Sequence, residues 1–455
     1  MKKRKVAVTT LGCKVNQFES ASFISEFRDQ GCELVSAPEQ ADILVVNTCA
    51  VTARAGQQSR QLIRRLRRSN PDTRLLVTGC YAQLTGDELP ELVADGSLIV
   101  IGNVDKHLLV PVALEEDPVP PIKDVGAAQE ICPLPVRRFS GRTRAYLRVQ
   151  DGCNNFCSYC IVPYTRGRCR SLALADVLAQ VEVFVEEGYR ELVVTGINVG
   201  KYGLDLAEGE DIYSLLETLC RCFPALRIRL SSVEPTEVND RLLDIMTGFA
   251  NFMPHLHIPL QSGDNGVLAR MRRKYTTETF AEVVERVHTA LPHAAIGCDI
   301  LAGFPGEDEQ AAENSFSFLA QLPITYLHIF PYSLRPGTAA AKFADQVPGP
   351  VKDARVARLR ELDAEKKAAF YQRHCGTEQR VLLEGVDEGA GLLKGFSENY
   401  IPVRIPVHIP VRCKGAASSG GSWVESSPGN SPGTVVPVRL VEVRGEAVLG
   451  EIISP

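Results

Sequence analysis

No run of about eighteen consecutive apolar residues occurs in this chain of 455, so no membrane-spanning helix is expected. No signal sequence is expected either. After the basic start Met1-Lys2-Lys3-Arg4-Lys5, the segment Val6-Ala7-Val8-Thr9-Thr10 is too short and too polar to serve as one. Together these absences predict a cytoplasmic protein with no membrane partner. Cysteine is dilute, 14 residues, which excludes a disulfide scaffold in a chain this long. In a reducing compartment, clustered cysteines read instead as metal ligands or catalysts. An excess of positive charge is also lacking: the net charge is −5, so bulk charge gives no argument for nucleic acid. Apolar content of 45% and charged content of 23% are ordinary for a globular protein, and the length allows two or three domains.

The distribution of charge says more than its sum. Residues 54–74 hold Arg54, Arg60, Arg64, Arg65, Arg67, Arg68 and Arg74 against Asp72 alone. Residues 137–170 hold Arg137, Arg138, Arg142, Arg144, Arg148, Arg166, Arg168 and Arg170 against Asp151. Such density can neutralise phosphates even on an acidic protein, or it can be a solvated helix face.

The stretch Asp151-Gly152-Cys153-Asn154-Asn155-Phe156-Cys157-Ser158-Tyr159-Cys160 reads C-x3-C-x2-C. Three thiolates on one short loop can hold three corners of a cubane iron–sulfur cluster. The fourth iron is then left open to a small molecule. Structural zinc would normally ask for four ligands. Three buried cysteines on one helix face are the bland alternative, but Gly152 and Asn154-Asn155 favour a loop. This stretch resembles the radical S-adenosylmethionine (SAM) enzymes, with Tyr159 in the aromatic slot of their C-x3-C-x-aromatic-C motif. The resemblance implies a [4Fe-4S] cluster on Cys153, Cys157 and Cys160 whose open iron binds SAM. Electron transfer then releases a 5′-deoxyadenosyl radical.

Upstream, the runs from Val6 to Leu11, Ile43 to Val46 and Leu75 to Thr78 are short, apolar and rich in β-branched residues. Helical stretches near 18–29 and 56–68 separate them, so residues 1–115 read as an α/β domain with a parallel sheet. Each run ends in a cysteine: Cys13, Cys49 and Cys80. Ligand sites in open parallel sheets lie beyond the carboxyl ends of strands, so the three thiols can converge. Unrelated core cysteines are the alternative. The blocks Leu11-Gly12-Cys13-Lys14-Val15-Asn16-Gln17, Asn47-Thr48-Cys49-Ala50-Val51-Thr52 and Thr78-Gly79-Cys80-Tyr81-Ala82-Gln83 resemble the methylthiotransferases, a branch of the radical SAM enzymes. That resemblance implies a second [4Fe-4S] cluster on Cys13, Cys49 and Cys80. Cys32, Cys132 and Cys169 match no ligand position and read as structural or surface thiols.

Residues 116–140, with Pro118, Pro120, Pro121, Pro133 and Pro135, read as an extended linker poor in core residues. Residues 141–375 carry six strand-like runs, at 145–149, 191–195, 226–230, 256–260, 295–300 and 325–329, with helical patterns between them. Six βα units fit an incomplete (β/α)6 barrel, with chemistry at the carboxyl ends of its strands. The polar and glycine-rich loops there resemble the family's SAM pocket, which implies SAM contacts from Tyr159, Gly196, Ser232, Glu234 and Gln261. No further catalytic residue is assigned beyond the clusters. His257 and His328 lie within strand patterns and read as satisfied core histidines. Arg270, Arg272, Arg273 and Lys274 form a third basic run, facing SAM, RNA or solvent. Residues 352–370 read as an amphipathic helix packed on the barrel and bridging to the tail.

Residues 376–455 carry five short strand-like runs, which suggest a small β-barrel. It resembles the TRAM domain, an RNA-binding module of tRNA-modifying methylthiotransferases, with Ser397-Glu398-Asn399-Tyr400 as that domain's turn. Ile405 to Pro432, rich in Pro, Gly and Ser, reads as a flexible insertion.

Sulfur insertion at an unactivated C–H bond is beyond any side-chain acid or base and suits a radical cofactor. The wording around Cys13, with Ala50-Val51-Thr52 and Ser59-Arg60-Gln61, is most similar to the threonylcarbamoyladenosine branch. The resemblance implies methylthiolation at C-2 of that nucleoside, just 3′ of the anticodon in tRNA. An anticodon-loop base is single-stranded and can be splayed into a pocket. A reductant such as a flavodoxin or ferredoxin and a sulfur donor are the implied protein partners. Isopentenyladenosine in tRNA and a ribosomal-protein aspartate are the alternative substrates. A non-catalytic iron–sulfur protein that binds RNA or carries electrons is the alternative of another class.

Overall fold

The computed structural model describes residues 3–453 except 87, 94–96, 207–208, 388, 390 and 407–430. Its first sheet is built from β1 (Lys5–Thr10), β2 (Glu33–Leu34), β3 (Ile43–Thr48), β4 (Arg74–Gly79) and β5 (Ile99–Val100), all parallel, in the order β2-β1-β3-β4-β5. Alternation along each strand divides the side chains between two faces. Val6, Val45 and Leu76 pack with Phe18, Phe23 and Phe27 of helix α1 (Lys14–Asp29). Leu44, Val46 and Val77 pack with Ile63 and Leu66 of helix α2 (Ala53–Ser69). The two-residue edge strands β2 and β5 are additions to the three runs read from the sequence.

The central strands are β6 (Ala145–Arg148), then the antiparallel pair β7 (Gln150–Asp151) and β8 (Arg170–Ser171) that closes the cysteine loop at its base. Next come β9 (Glu191–Thr195), β10 (Arg227–Leu230), β11 (His255–His257), β12 (Ala295–Ala302) and β13 (Tyr326–Pro331). Parallel sheets β6-β9-β10 and β11-β12-β13 are joined where Met253 N donates to Ile228 O at 2.8 Å and Val233 N to His257 O at 3.0 Å. The result is a six-strand parallel arc, an incomplete barrel with β6 and β13 as its edges.

The segment 116–140 is extended, but the expectation that it is poor in core residues is wrong. Ile131, Cys132, Leu134, Val136 and Phe139 are buried, while Pro133 and Pro135 point outward. Proline here keeps the chain extended, so residues alternate between inside and outside as in a strand. The Phe139 ring lies 6.4 Å from Phe18 of α1 and 5.9 Å from Phe184 of the barrel layer. Val136 N donates to Gln180 Oε1 and Arg137 N to Ser25 Oγ. One continuous apolar core therefore runs from the first sheet through this strap into the barrel.

A helix over Gly349–His374 packs along β13, and its last turns place Phe370 and Tyr371 in the core of the C-terminal unit. That unit is a closed barrel of β14 (Glu378–Asp387), β15 (Leu392–Phe396), β16 (Pro402–Pro406), β17 (Val435–Arg444) and β18 (Ala447–Ile452), ordered β14-β15-β16-β18-β17. Most of the expected insertion, residues 407–430, lies outside the described residues.

The Ser397–Tyr400 turn enters the amino-terminal end of the six-strand barrel. Arg229 donates to Ser397 O at 2.8 Å and to Glu398 O at 2.7 Å, and its guanidinium sits 4.3 Å from the Tyr400 ring. Tyr400 adopts φ +66° and lies 4.6 Å from the His255 ring. Beneath it, Glu191 pairs with Arg144 at 2.7 Å, Arg227 at 2.9 Å and Arg229 at 2.7 Å. Burial pushes the Glu191 carboxyl up, but the three guanidiniums outweigh it and hold it below its usual range. That stabilisation is present above the ordinary glutamate range and is lost as pH falls below that range and through the depressed folded value. Glu191→Gln leaves three buried cations undercompensated and is expected to cost about 3–5 kcal/mol. Urea unfolding followed by circular dichroism measures this.

Candidate functional site

Cys13 stands at the start of α1, Cys49 one residue past β3, and Cys80 opens helix α3 (Cys80–Thr85) directly after β4. Glycines let these loops close on one another. Gly12 (φ +103°) is so near Cys49 that a Cβ would stand 2.9 Å from the Cys49 Cβ, and at Gly79 (φ +96°) one would stand 2.3 Å from Thr48 O. Burial pushes the Cys13 thiol up and the Cys49 thiol up to about 11, and the neighbouring thiols add to the rise at Cys49. Two buried cations face this trio. Arg166 donates from Nε to Cys80 Sγ at 3.3 Å. Arg335, 6% exposed, interacts electrostatically with Cys49, and its Nε has no hydrogen-bond partner among the described residues. Converging thiols beside an unsatisfied guanidinium fit an anionic thiolate-bound cluster.

Cys153, Cys157 and Cys160 lie on a loop, not a helix, between β7 and a short helix over Val162–Arg166. Gly152 (φ +76°) lies against the returning chain, where a Cβ would meet Arg168 O at 1.8 Å. Burial pushes Cys153 up to about 11 and Cys160 up to about 12. Donors nevertheless point at the sulfurs: Arg273 Nη1 at 3.2 Å from Cys157, and Asn155 N at 3.4 Å from Cys153. Metal binding at such thiols displaces their protons, and these N–H donors then meet thiolate sulfur. All thirteen described cysteines are free, so neither trio is consumed in a disulfide.

A buried ion network links the trios. Arg166, 1% exposed, bonds Asp151 at 3.2 Å, Glu19 at 2.8 Å and Asn16 Oδ1 at 2.8 Å. Asp151 leads into the second cysteine loop, while Asn16 and Glu19 belong to α1, which begins after Cys13.

The five expected SAM contacts do not all line one space. Glu234 pairs with Arg273, which also reaches Cys157. Tyr159 packs edge-on to Phe304 at 6.3 Å. Gly196 sits against Gln150, where a Cβ would come within 2.8 Å of Oε1. Gln261 holds φ +73° and is bonded through its backbone to β12. Ser232 lines a different space, described below. Asn198, 3.8 Å from Cys153 Sγ, completes the loop after β9. Left-handed backbone at non-glycine residues was not legible in the sequence, yet Phe156, Gln261 and Arg272 all adopt it around this site.

The basic runs resolve differently. Arg54, Arg64, Arg65 and Arg68 lie exposed along α2. In the second run, Arg144, Arg148, Arg166 and Arg170 are buried in ion pairs and carbonyl contacts, so these form neither a phosphate face nor a solvated one. In the third, Arg270 pairs with Asp345 at 2.8 Å and only Arg273 turns inward to a sulfur.

A cavity of about 360 Å³ opens inside the barrel, bounded by Lys14, Ser231, Ser232, His255, His328 and Tyr400, which come from all three units of the fold. His257 is buried, bonding Asp299 at 2.9 Å and Tyr326 at 3.1 Å. The expectation of a core position fails for His328, whose side chain is 55% exposed. It lies on β13, the edge of the incomplete barrel, so its inward residues face the opening.

Residues 5–101 match the family described as Uncharacterized protein family UPF0004, and residues 147–319 match the Radical SAM superfamily. The chain is 38% identical over 405 residues to the threonylcarbamoyladenosine tRNA methylthiotransferase MtaB of Bacillus subtilis, spanning 88% of this chain and 89% of that protein. The protein of the same name from Aquifex aeolicus is also 38% identical, across 88% of this chain and 96% of its own length. A tRNA-2-methylthio-N(6)-dimethylallyladenosine synthase from Thermodesulfovibrio yellowstonii is 33% identical, across 85% of this chain and 90% of its own. Among solved structures, the radical S-adenosylmethionine methyltransferase TsrM from Kitasatospora setae shares the fold. Its TM-score is 0.56 at 16% identity, over 74% of this chain and 77% of that one.

Proposed function

Since the chain belongs to the radical SAM methylthiotransferases, we propose that it adds a methylthio group to C-2 of N6-threonylcarbamoyladenosine at position 37 of tRNA. One observation supports this most directly: the fold carries two separate trios of free thiols, and the buried Arg166 network joins them. In this reading Cys153, Cys157 and Cys160 hold one [4Fe-4S] cluster, and Cys13, Cys49 and Cys80 hold the other. Bound there with SAM, the clusters supply the radical and the sulfur chemistry that no side chain can.

The chain's own residues then have separable tasks. Arg273 holds Glu234 in place and donates to Cys157, so one guanidinium sets both a sulfur and the acid beside the expected SAM position. Tyr159, Gly196 and Gln261 are the further contacts that this reading assigns to SAM. The Tyr400 ring, packed between Arg229 and His255, closes the chamber from below. Exposed arginines along α2 suit the phosphates of an anticodon loop. A reductant protein and a sulfur donor complete the system, and the setting is the cytoplasm. The dimethylallyl reading has weaker support, because the chamber adds two lysines, three histidines and two serines to its apolar and aromatic lining, and that substituent has no polar group to meet them.

Mass spectrometry of tRNA nucleosides from a strain lacking the gene tests the assignment. The 2-methylthio form of threonylcarbamoyladenosine is expected to vanish and to return with the gene. Loss of the methylthio isopentenyl nucleoside in its place would transfer the assignment to that substrate.

A further inference from the structure

Two lysines and three histidines line the barrel cavity, and no carboxylate lines it. Lys367 is already paired with Asp363 at 2.7 Å. Lys14 has no ion-pair partner among the described residues, and its side chain reaches the cavity from the loop that carries Cys13. Asp299, just behind the lining, is committed to His257 at 2.9 Å and His328 at 3.5 Å. Burial pushes the Asp299 carboxyl up, but hydrogen bonds from both histidines outweigh that and hold it well below its usual range. The free charge in the chamber is therefore positive.

A second, independent observation points to a polar ligand. His255 is 7% exposed, and its Nε2 bonds Tyr326 Oη at 2.8 Å. Its Nδ1 is buried without a partner among the described residues. Burial and the nearby Arg229 and His257 push its pKa well down, so the ring is neutral and can offer or accept one hydrogen bond. An orphaned buried nitrogen in a cavity wall is costly unless an incoming group satisfies it.

Position matters as much as charge. The cavity is bordered on one side by Ser231 and Ser232, in the loop after β10, and on the other by Lys14, next to Cys13. A nucleoside whose C-2 faces the space between the two trios would carry its N6 substituent into this chamber. The threonylcarbamoyl substituent bears a carboxylate and a urea-like carbonyl; the dimethylallyl substituent bears neither.

Resting on the substrate reading above, we infer that this cavity is the selectivity site for the N6 side chain. The Lys14 ammonium takes the threonyl carboxylate, His328 supports it at the opening, and His255 Nδ1 meets a polar group of the same side chain.

The test compares anticodon stem-loops carrying threonylcarbamoyladenosine, its carboxyl methyl ester, or unmodified adenosine. Affinity is read by fluorescence anisotropy, and methylthio product by mass spectrometry. The wild-type protein is expected to bind the acid about ten- to a hundredfold more tightly than the ester. Lys14→Ala should erase that gap without changing affinity for the unmodified loop, and Lys14→Arg should keep part of it. His328→Gln, remote in sequence from both cysteine trios, should narrow it. Equal binding of acid and ester by the wild-type protein overturns the inference without reliance on any variant. So does a gap that survives Lys14→Ala, or an equal loss for all three loops, which would mark Lys14 as a phosphate contact. Iron content of each variant shows whether the neighbouring trio is intact. Failure of the wild-type protein to methylthiolate the acid loop would instead sink the substrate reading itself.

Discussion

Cys157→Ala will end SAM cleavage. Reconstituted and reduced anaerobically, the variant should form no 5′-deoxyadenosine above background, and its iron content should fall from about eight to about four atoms per chain. Cys157 is the middle thiol of its loop and the one that receives the Arg273 hydrogen bond at 3.2 Å. In the proposed assignment its loss removes a cluster corner, and it leaves Arg273 with Glu234 and the Tyr275 hydroxyl as partners. The loop cannot recruit a replacement. The other described cysteine beside it, Cys169, is buried on the returning strand with its thiol near Gly152 O at 3.8 Å. Full 5′-deoxyadenosine formation by this variant would place the radical chemistry elsewhere.

Cys49→Ala should separate the two halves of the reaction. About four irons per chain should remain. SAM cleavage should survive in large part, because the second trio and Arg273 are untouched. Methylthio product should disappear. The structural reason is that Cys49 lies at the centre of its trio, against Gly12 on one side and electrostatically coupled to both Cys13 and Cys80. Liquid chromatography with mass spectrometry on the same reaction reads 5′-deoxyadenosine and modified nucleoside together. Product at the wild-type level would show that the Cys13, Cys49 and Cys80 trio is not the sulfur platform.

These expectations rest on features that a linear reading could reach. A cysteine at the end of three successive apolar runs is a pattern with a geometric meaning in a parallel sheet, and the three thiols do converge. The C-x3-C-x2-C loop needed no structure at all. The six central strands were legible because each is a short strand-like run between helical periods. Other features were hidden for physical reasons. The 131–139 strap was misread because prolines break helical periodicity, but they leave a period of two intact, and the burial of Cys132, Leu134 and Val136 follows that period. The arginines of 137–170 were misread because charge density along a chain carries no information on depth. Two of their partners, Glu19 and Glu191, come from outside the run, and the one acid within it, Asp151, is buried with them. The role of Arg273 was concealed among three neighbours of like charge. His328 looked like a core residue because sequence cannot show that its strand is the rim of an unclosed barrel.

The Ser397–Tyr400 turn changes what the C-terminal barrel is for. With its tyrosine wedged between Arg229 and His255, that module serves as the floor of the reaction vessel as well as any grip on RNA. A chain ending at residue 375 would therefore lose more than a handle. The Glu191 arginines would lie open to solvent, and the chamber would drain from below.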